Sequence, residues 1–103
     1  MHELDPVIHA QARLRTVTVL DTLRVGDRIS FPKLQGMLTM TSGNLATHLR
    51  KLEDSQYVAV EKILEGRNPV TYVCLTRTGR TAFENYKSAL RELLDPARSK
   101  AKP

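Results

Sequence analysis

The 103-residue sequence predicts a mainly α-helical domain with one small β-hairpin, and three patterns predict it. Leu45, Leu49 and Leu52 recur at the i, i+4, i+7 spacing of one helix stripe, just after a second short helical stretch. Two runs rich in β-branched residues, 58–64 and 70–75, follow with turn residues between them. Amphipathic segments stand at both ends of this unit.

The first helix is read from Ala12 onward, where Leu14, Val17, Val19, Leu20 and Leu23 spread around much of the circumference. A helix of that kind is buried on more than one side.

Residues 31–57, FPKLQGMLTMTSGNLATHLRKLEDSQY, read as two short helices joined by a tight turn at Leu38-Thr39-Met40. Gly36, inside the first of them, costs about 1 kcal/mol relative to alanine. Thr41 and Ser42 offer a hydroxyl N-cap for the second, whose oxygen accepts from an otherwise unpaired N–H of the first turn. With the leucines facing the core, Gly43, Asn44, Thr47, Arg50, Lys51 and Asp54 fall on the opposite side. These are mostly small, hydrogen-bonding or cationic side chains, as a helix laid in a major groove requires. The same periodicity also fits an ordinary helix with a solvated face. His48 lies at the border of the two sectors, suited to packing or to a phosphate bond.

Between the two strand runs sits EGRNP. Gly66 supplies a positive φ, Pro69 is expected to stop the ladder at the tip, and Arg67 is left exposed at the end. Helix, turn, helix, hairpin is the winged-helix order. A cationic tip beside such a helix reaches phosphates or the adjacent minor groove; the plainer reading of Arg67 is a solvated loop residue.

In the last helix, 78–94, Ala82, Phe83, Tyr86, Ala89, Leu90, Leu93 and Leu94 form one apolar sector, with Glu84, Lys87, Ser88 and Arg91 opposite. A small core covers only part of a helix about 25 Å long. The far end therefore calls for a partner. We expect a twofold dimer built through the first and last helices, with Leu14, Val17, Tyr86, Leu90, Leu93 and Leu94 as contacts. The alternative is a monomer whose terminal helices fold onto their own core.

Taken together, N-L-x-x-H-L-x-K-L-E leading to a tyrosine (44–57), the wing E-G-R (65–67), and L-T-x-x-G-R (75–80) opening the last helix resemble the small single-domain winged-helix transcriptional regulators related to the MarR and ArsR families. The likeness covers most of the chain, beginning with LDPVIHAQARLRTVTVL (4–20). It implies a homodimeric DNA-binding regulator with residues 42–51 and the wing facing DNA. Two departures stand out. Thr39 occupies a place where relatives usually have glycine, and a β-branched residue suits a left-handed backbone poorly, so a differently shaped turn is expected. Gln11 stands where relatives often carry a helix-breaking proline.

Residues 1–95 are thus expected to form one winged-helix domain, dimerisation helices included, with 96–103 a flexible basic tail. Sixteen basic against eleven acidic residues give a net charge of +5 and a pI of about 9.7, which favours a polyanionic partner. Between residues 41 and 80 the excess is small: Arg50, Lys51, Lys62, Arg67, Arg77 and Arg80 face Glu53, Asp54, Glu61 and Glu65. Binding should rely on the placement of particular arginines. No apolar run suggests a signal peptide or membrane span, so a cytoplasmic location is expected.

A lone cysteine, Cys74, excludes an internal disulfide. It is expected on the strand face opposite Val73 and Leu75, as a structural thiol rather than a redox sensor. His2, His9, His48 and Cys74 lack the local spacing of a metal site, and no metal or cofactor is expected. Nucleophile-elbow, phosphate-loop, dinucleotide and zinc-protease motifs are all missing, so the chain does not read as an enzyme.

The expected function is a transcriptional regulator, most simply a repressor, reading an inverted repeat in double-stranded DNA. Its recognition helix spans about 42–55 and its wing about 64–69. Thr41, Ser42, Gly43, Asn44, Thr47, His48, Arg50, Lys51 and Arg67 form the DNA-binding set. An unidentified small-molecule effector is a further candidate partner, with the space between the dimer helices and the DNA-binding core as the place to look for it. The rival is a winged helix that docks a protein instead, a role that would usually require apolar anchors at the centre of the face.

Overall fold

Four helices and three strands follow one another in the computed structural model, which describes residues 3–95 and residue 97. They are α1 (Gln11–Asp21), β1 (Ile29–Ser30), α2 (Phe31–Leu38), α3 (Ser42–Asp54), β2 (Val58–Glu65), β3 (Asn68–Leu75) and α4 (Arg77–Leu94). Apart from Ala97, the basic tail expected at 96–103 lies outside the described residues, as does His2.

Leu45, Leu49 and Leu52 of α3 are all buried and meet Val17 and Leu20 of α1, Leu34 and Leu38 of α2, Val58, Val73 and Leu75 of the sheet, and Phe83 and Tyr86 of α4 in one core. Thr16 is buried with them, its hydroxyl donating to the Ala12 carbonyl at 2.8 Å. That bond removes the cost of an unpaired polar group.

The sheet has three strands, not the hairpin alone, in the order β1-β3-β2 and antiparallel throughout. Two residues are too few for a periodicity signal, so β1, which pairs Ile29 with Val73 and Ser30 with Tyr72, has no clear sequence signature. Pro69 does not end the ladder either: β2 and β3 stay in register through Leu64–Pro69 to Glu65–Asn68. A two-residue loop makes its flanking pair the hydrogen-bonded one, so the Pro69 nitrogen points away from β2. On that outer side β1 stops at Tyr72, and no donor is needed there.

The turn expected to be differently shaped keeps the left-handed backbone despite its β-branched residue. Thr39 has φ 54° and ψ 50°, and its N–H donates to the Gln35 carbonyl to close α2. Leu38 before this turn and Leu45 after it are both buried in the core, which fixes the two helices that the turn joins. Gln56 also has a positive φ, 65°, after α3. There Tyr57 N–H donates to Leu52 and Gln56 N–H to Glu53, the paired closing bonds of a Schellman motif. Gln11 proves to be the first residue of α1, preceded by an extended Ala10, so the helix begins at this position rather than running through it.

Of the six positions expected at a dimer interface, Val17 and Tyr86 are buried in the chain's own core, and Leu14 and Leu90 pack against it. Val17 and Tyr86 are thus spent within the chain, while Leu14 and Leu90 are half-buried. Leu93 and Leu94, at 59% and 74% exposure, remain uncovered at the far end of α4.

Candidate nucleic-acid interface

Thr41 caps α3 from an extended backbone, its Oγ1 accepting from the Asn44 N–H at 3.1 Å. The cap leaves the other first-turn N–H groups pointing out of the helix, where the positive end of its dipole favours an anion. Ser42, Gly43, Asn44, Thr47, Arg50 and Lys51 are all exposed along one side of α3, and no acid occupies its first turn. Gly43 has nothing within 4 Å of the position a Cβ would take, so open space lies above it. The Thr47 hydroxyl donates to the Gly43 carbonyl at 3.0 Å, which orients its methyl and leaves the oxygen free to accept.

His48 is half-buried at the edge of this face, with Nδ1 3.5 Å from the Arg13 guanidinium. Since arginine only donates, Nδ1 is the acceptor. Arg13 also donates from Nε to the Val7 carbonyl at 2.5 Å, tying the N-terminal turn to the side of α3. Ala46 is a further exposed residue of the face. As an alanine it carries no polar signature, and only its place on the helical wheel, next to Leu45, marks it.

The wing closes through Gly66 and Arg67 between the paired Glu65 and Asn68. Gly66 has φ +64° while Arg67 has no positive φ, the pattern of a type II′ turn with glycine first. Arg67 is exposed at the tip, as its place in the sequence implies. Arg50, Lys51 and Arg67 make no ion pair with any described residue.

Arg80, counted above among the charges of this region, is otherwise engaged. It donates to Asp21 at 3.2 Å and to the Leu23 carbonyl at 3.0 Å, clamping α4 to the end of α1. The rest of the L-T-x-x-G-R motif is structural too. Thr76 caps α4 through Gly79 N–H and donates to the Gln56 carbonyl at 2.6 Å, while Gly79 lies so close to the Tyr57 carbonyl that a Cβ would overlap it. The tyrosine of the α3 motif is fixed in turn by Asp5, to which its hydroxyl donates at 2.5 Å. That bond, with burial and the nearby carboxylate charge, pushes the Tyr57 phenol up to about 12.

Cys74 is half-buried, free, and paired with Ala59, on the opposite face from Val73 and Leu75 as expected. Among the described residues no three His, Cys, Asp or Glu side chains come together to hold a metal ion. No described helix is long and apolar enough to cross a membrane.

A capped helix with a polar, acid-free leading face, flanked by a hairpin with arginine at its tip, defines a winged helix-turn-helix unit. The chain belongs to the winged helix DNA-binding domain family, whose model matches residues 14–94. An uncharacterized protein of Methanocaldococcus jannaschii is 38% identical over 71 residues, which cover 68% of this chain and 76% of that one. The transcriptional regulator homologue of Pyrococcus horikoshii superposes with a TM-score of 0.70 at 25% identity, over 88% of this chain and 92% of that one. A regulator assigned to the MarR family in Enterococcus faecalis superposes at 0.72 with 21% identity, over 94% and 84%. The S. aureus MepR protein, solved in complex with DNA, gives 0.70 at 18% identity, over 92% and 75%. At such identities the last two show a shared fold.

Proposed function

We propose that this chain is a sequence-specific DNA-binding regulator of transcription that acts as a homodimer on an inverted repeat. The observation that carries the reading is the exposed face of α3, with its cap intact and its first turn free of acid. Ser42, Asn44 and Thr47 read base edges in the major groove, and Gly43 lets the backbone come close. The Thr41 backbone, Arg50 and Lys51 hold phosphates, with His48 beside them, and Arg67 engages phosphates or the minor groove next to the half-site. The MepR–DNA complex supports DNA as the partner of a chain with this fold.

Leu93 and Leu94 support the dimer, because two neighbouring leucines left in water at a helix end gain by pairing with a second copy. A twofold pair presents two recognition helices about 34 Å apart, one turn of duplex. Repression by blocking polymerase follows from occupying such a site, in the cytoplasm, with a small-molecule effector accommodated between the dimer helices and the core. Residues 1–95 form the working unit and 96–103 a basic tail. A protein-docking face would need large apolar anchors at its centre, where α3 offers Ala46 alone.

The test is selection of random duplex DNA by the purified protein. Enrichment of an inverted repeat with half-sites one turn apart is the expected result. Absence of enrichment, even at low salt, would favour the docking module.

A further inference from the structure

Between the end of α1, β1 and α2 runs a cleft of about 400 Å³, within the range of about 300–1,000 Å³ typical of small-molecule sites. Its apolar wall is aliphatic: Val19 of α1, Leu23 just after that helix, Ile29 of β1 and Met37 of α2, with the Tyr72 ring of β3 beside them. Val19 and Leu23 are half-buried and Met37 is 53% exposed, so part of this wall stands in water. Among the described residues none of α3, α4 or the wing tip lines the cleft, and one chain is enough to form it. It is therefore separate from the nucleic-acid face, from Leu93 and Leu94, and from any space enclosed between two copies.

The polar groups of the cleft are cationic or hydroxylic. Arg28 and Lys33 line it, and no acid does among the described residues. Asp21, the one acid of α1, is taken up on the α4 side by Arg80 at 3.2 Å and Lys87 at 4.0 Å. Lys33 has no ion-pair partner among the described residues. Arg28 lies with its guanidinium 4.2 Å from the centre of the Tyr72 ring and reaches Glu61 only at 3.4 Å. That is longer than the roughly 2.7–2.9 Å of a strong charge-assisted bond, so another carboxylate can compete for it. The Ser30 Oγ, also in the lining, accepts from the Lys33 N–H at 3.3 Å, which leaves its proton for a further acceptor.

We propose that this cleft binds an aliphatic monocarboxylate of medium chain length. The alkyl chain lies against Val19, Leu23 and Met37, whose flexible thioether adapts to it. The carboxylate sits between Arg28 and Lys33 and accepts from the Ser30 hydroxyl. A cationic ligand would meet two like charges and no acid, and a bare phosphate would leave the aliphatic wall in water. The site does not depend on DNA binding, since no group of α3 takes part in it.

The experiment is a calorimetric titration of the full chain with octanoate, kept below the concentration at which it forms micelles. Octanol, octylammonium and acetate are the comparison probes, and thermal melting checks each variant's fold. Octanoate should saturate at one molecule per chain, with octanol, octylammonium and acetate each at least about tenfold weaker. Lys33→Ala and Arg28→Ala should each weaken octanoate about tenfold. Met37→Glu, at an exposed position, should abolish binding by placing a like charge on the alkyl wall, whereas Met37→Leu should keep it. Glu61→Gln should tighten octanoate several-fold, because it frees Arg28. Absence of saturable octanoate binding, equal affinity for octanol, or parental affinity in both Lys33→Ala and Met37→Glu would overturn the proposal.

Discussion

Tyr57 and Asp5, 52 positions apart in the chain, share a 2.5 Å hydrogen bond that joins the start of β2 to the N-terminal turn. The same carboxylate accepts from the Val7 N–H at 2.8 Å, so one side chain shapes the turn and receives the phenol. Tyr57→Phe should cost about 1 kcal/mol. Because the folded phenol titrates near 12 rather than 10, the stability its raised pKa contributes is fully present below pH 10 and lost as pH rises through about 12. Denaturant midpoints of parent and variant should therefore differ by a constant amount up to pH 10 and converge above it. A gap that stays constant to pH 12 would mean the bond is not made.

Backbone positions should respond in opposite directions. A methyl on Gly79 would overlap the Tyr57 carbonyl and press on Leu75, so Gly79→Ala should destabilise by about 2 kcal/mol. Thr39→Gly relieves a β-branched residue at φ 54° and should stabilise by about 0.5–1 kcal/mol. Gly36→Ala meets nothing within 4 Å in a helix and should add up to about 1 kcal/mol. Urea denaturation of the three variants measures all of this.

The dimer hypothesis separates two kinds of leucine and valine. Leu94→Glu, at an exposed site, should turn a dimer into a folded monomer in sedimentation. Val17→Ala, inside the core, should lower the melting temperature through a cavity worth about 1–2.5 kcal/mol, whatever the assembly. Dimers persisting in Leu94→Glu would place the interface elsewhere.

Much of this was legible because periodicity and turn chemistry agree in this chain. The three leucines of α3 declare both the buried stripe and, by elimination, the polar face, and Thr41 occupies the cap its hydroxyl suggests. What escaped depends on contacts between distant segments. Arg80 reads as a surface charge until Asp21 and the Leu23 carbonyl are seen beside it, and β1 exists only because β3 offers an edge. Pro69 reads as a ladder stop because sequence does not reveal which way its nitrogen points. Val17 and Tyr86 read as interface residues because an apolar stripe does not state whether its own core or a second copy covers it.

Within the interface, side chains should divide by role. Arg67→Ala should weaken binding to all sequences and reduce the salt slope by about one, whereas Asn44→Ala should change base preference at one position of each half-site by about 1–3 kcal/mol. An unchanged slope for Arg67→Ala would remove the tip from the contact.

Sequence-specific DNA binding is measured by comparing affinities for an enriched duplex and its scrambled counterpart across a salt series. A preference of about a thousandfold or more is expected at physiological salt, with both affinities falling steeply as salt rises. Equal affinity for the two duplexes throughout the series would contradict it.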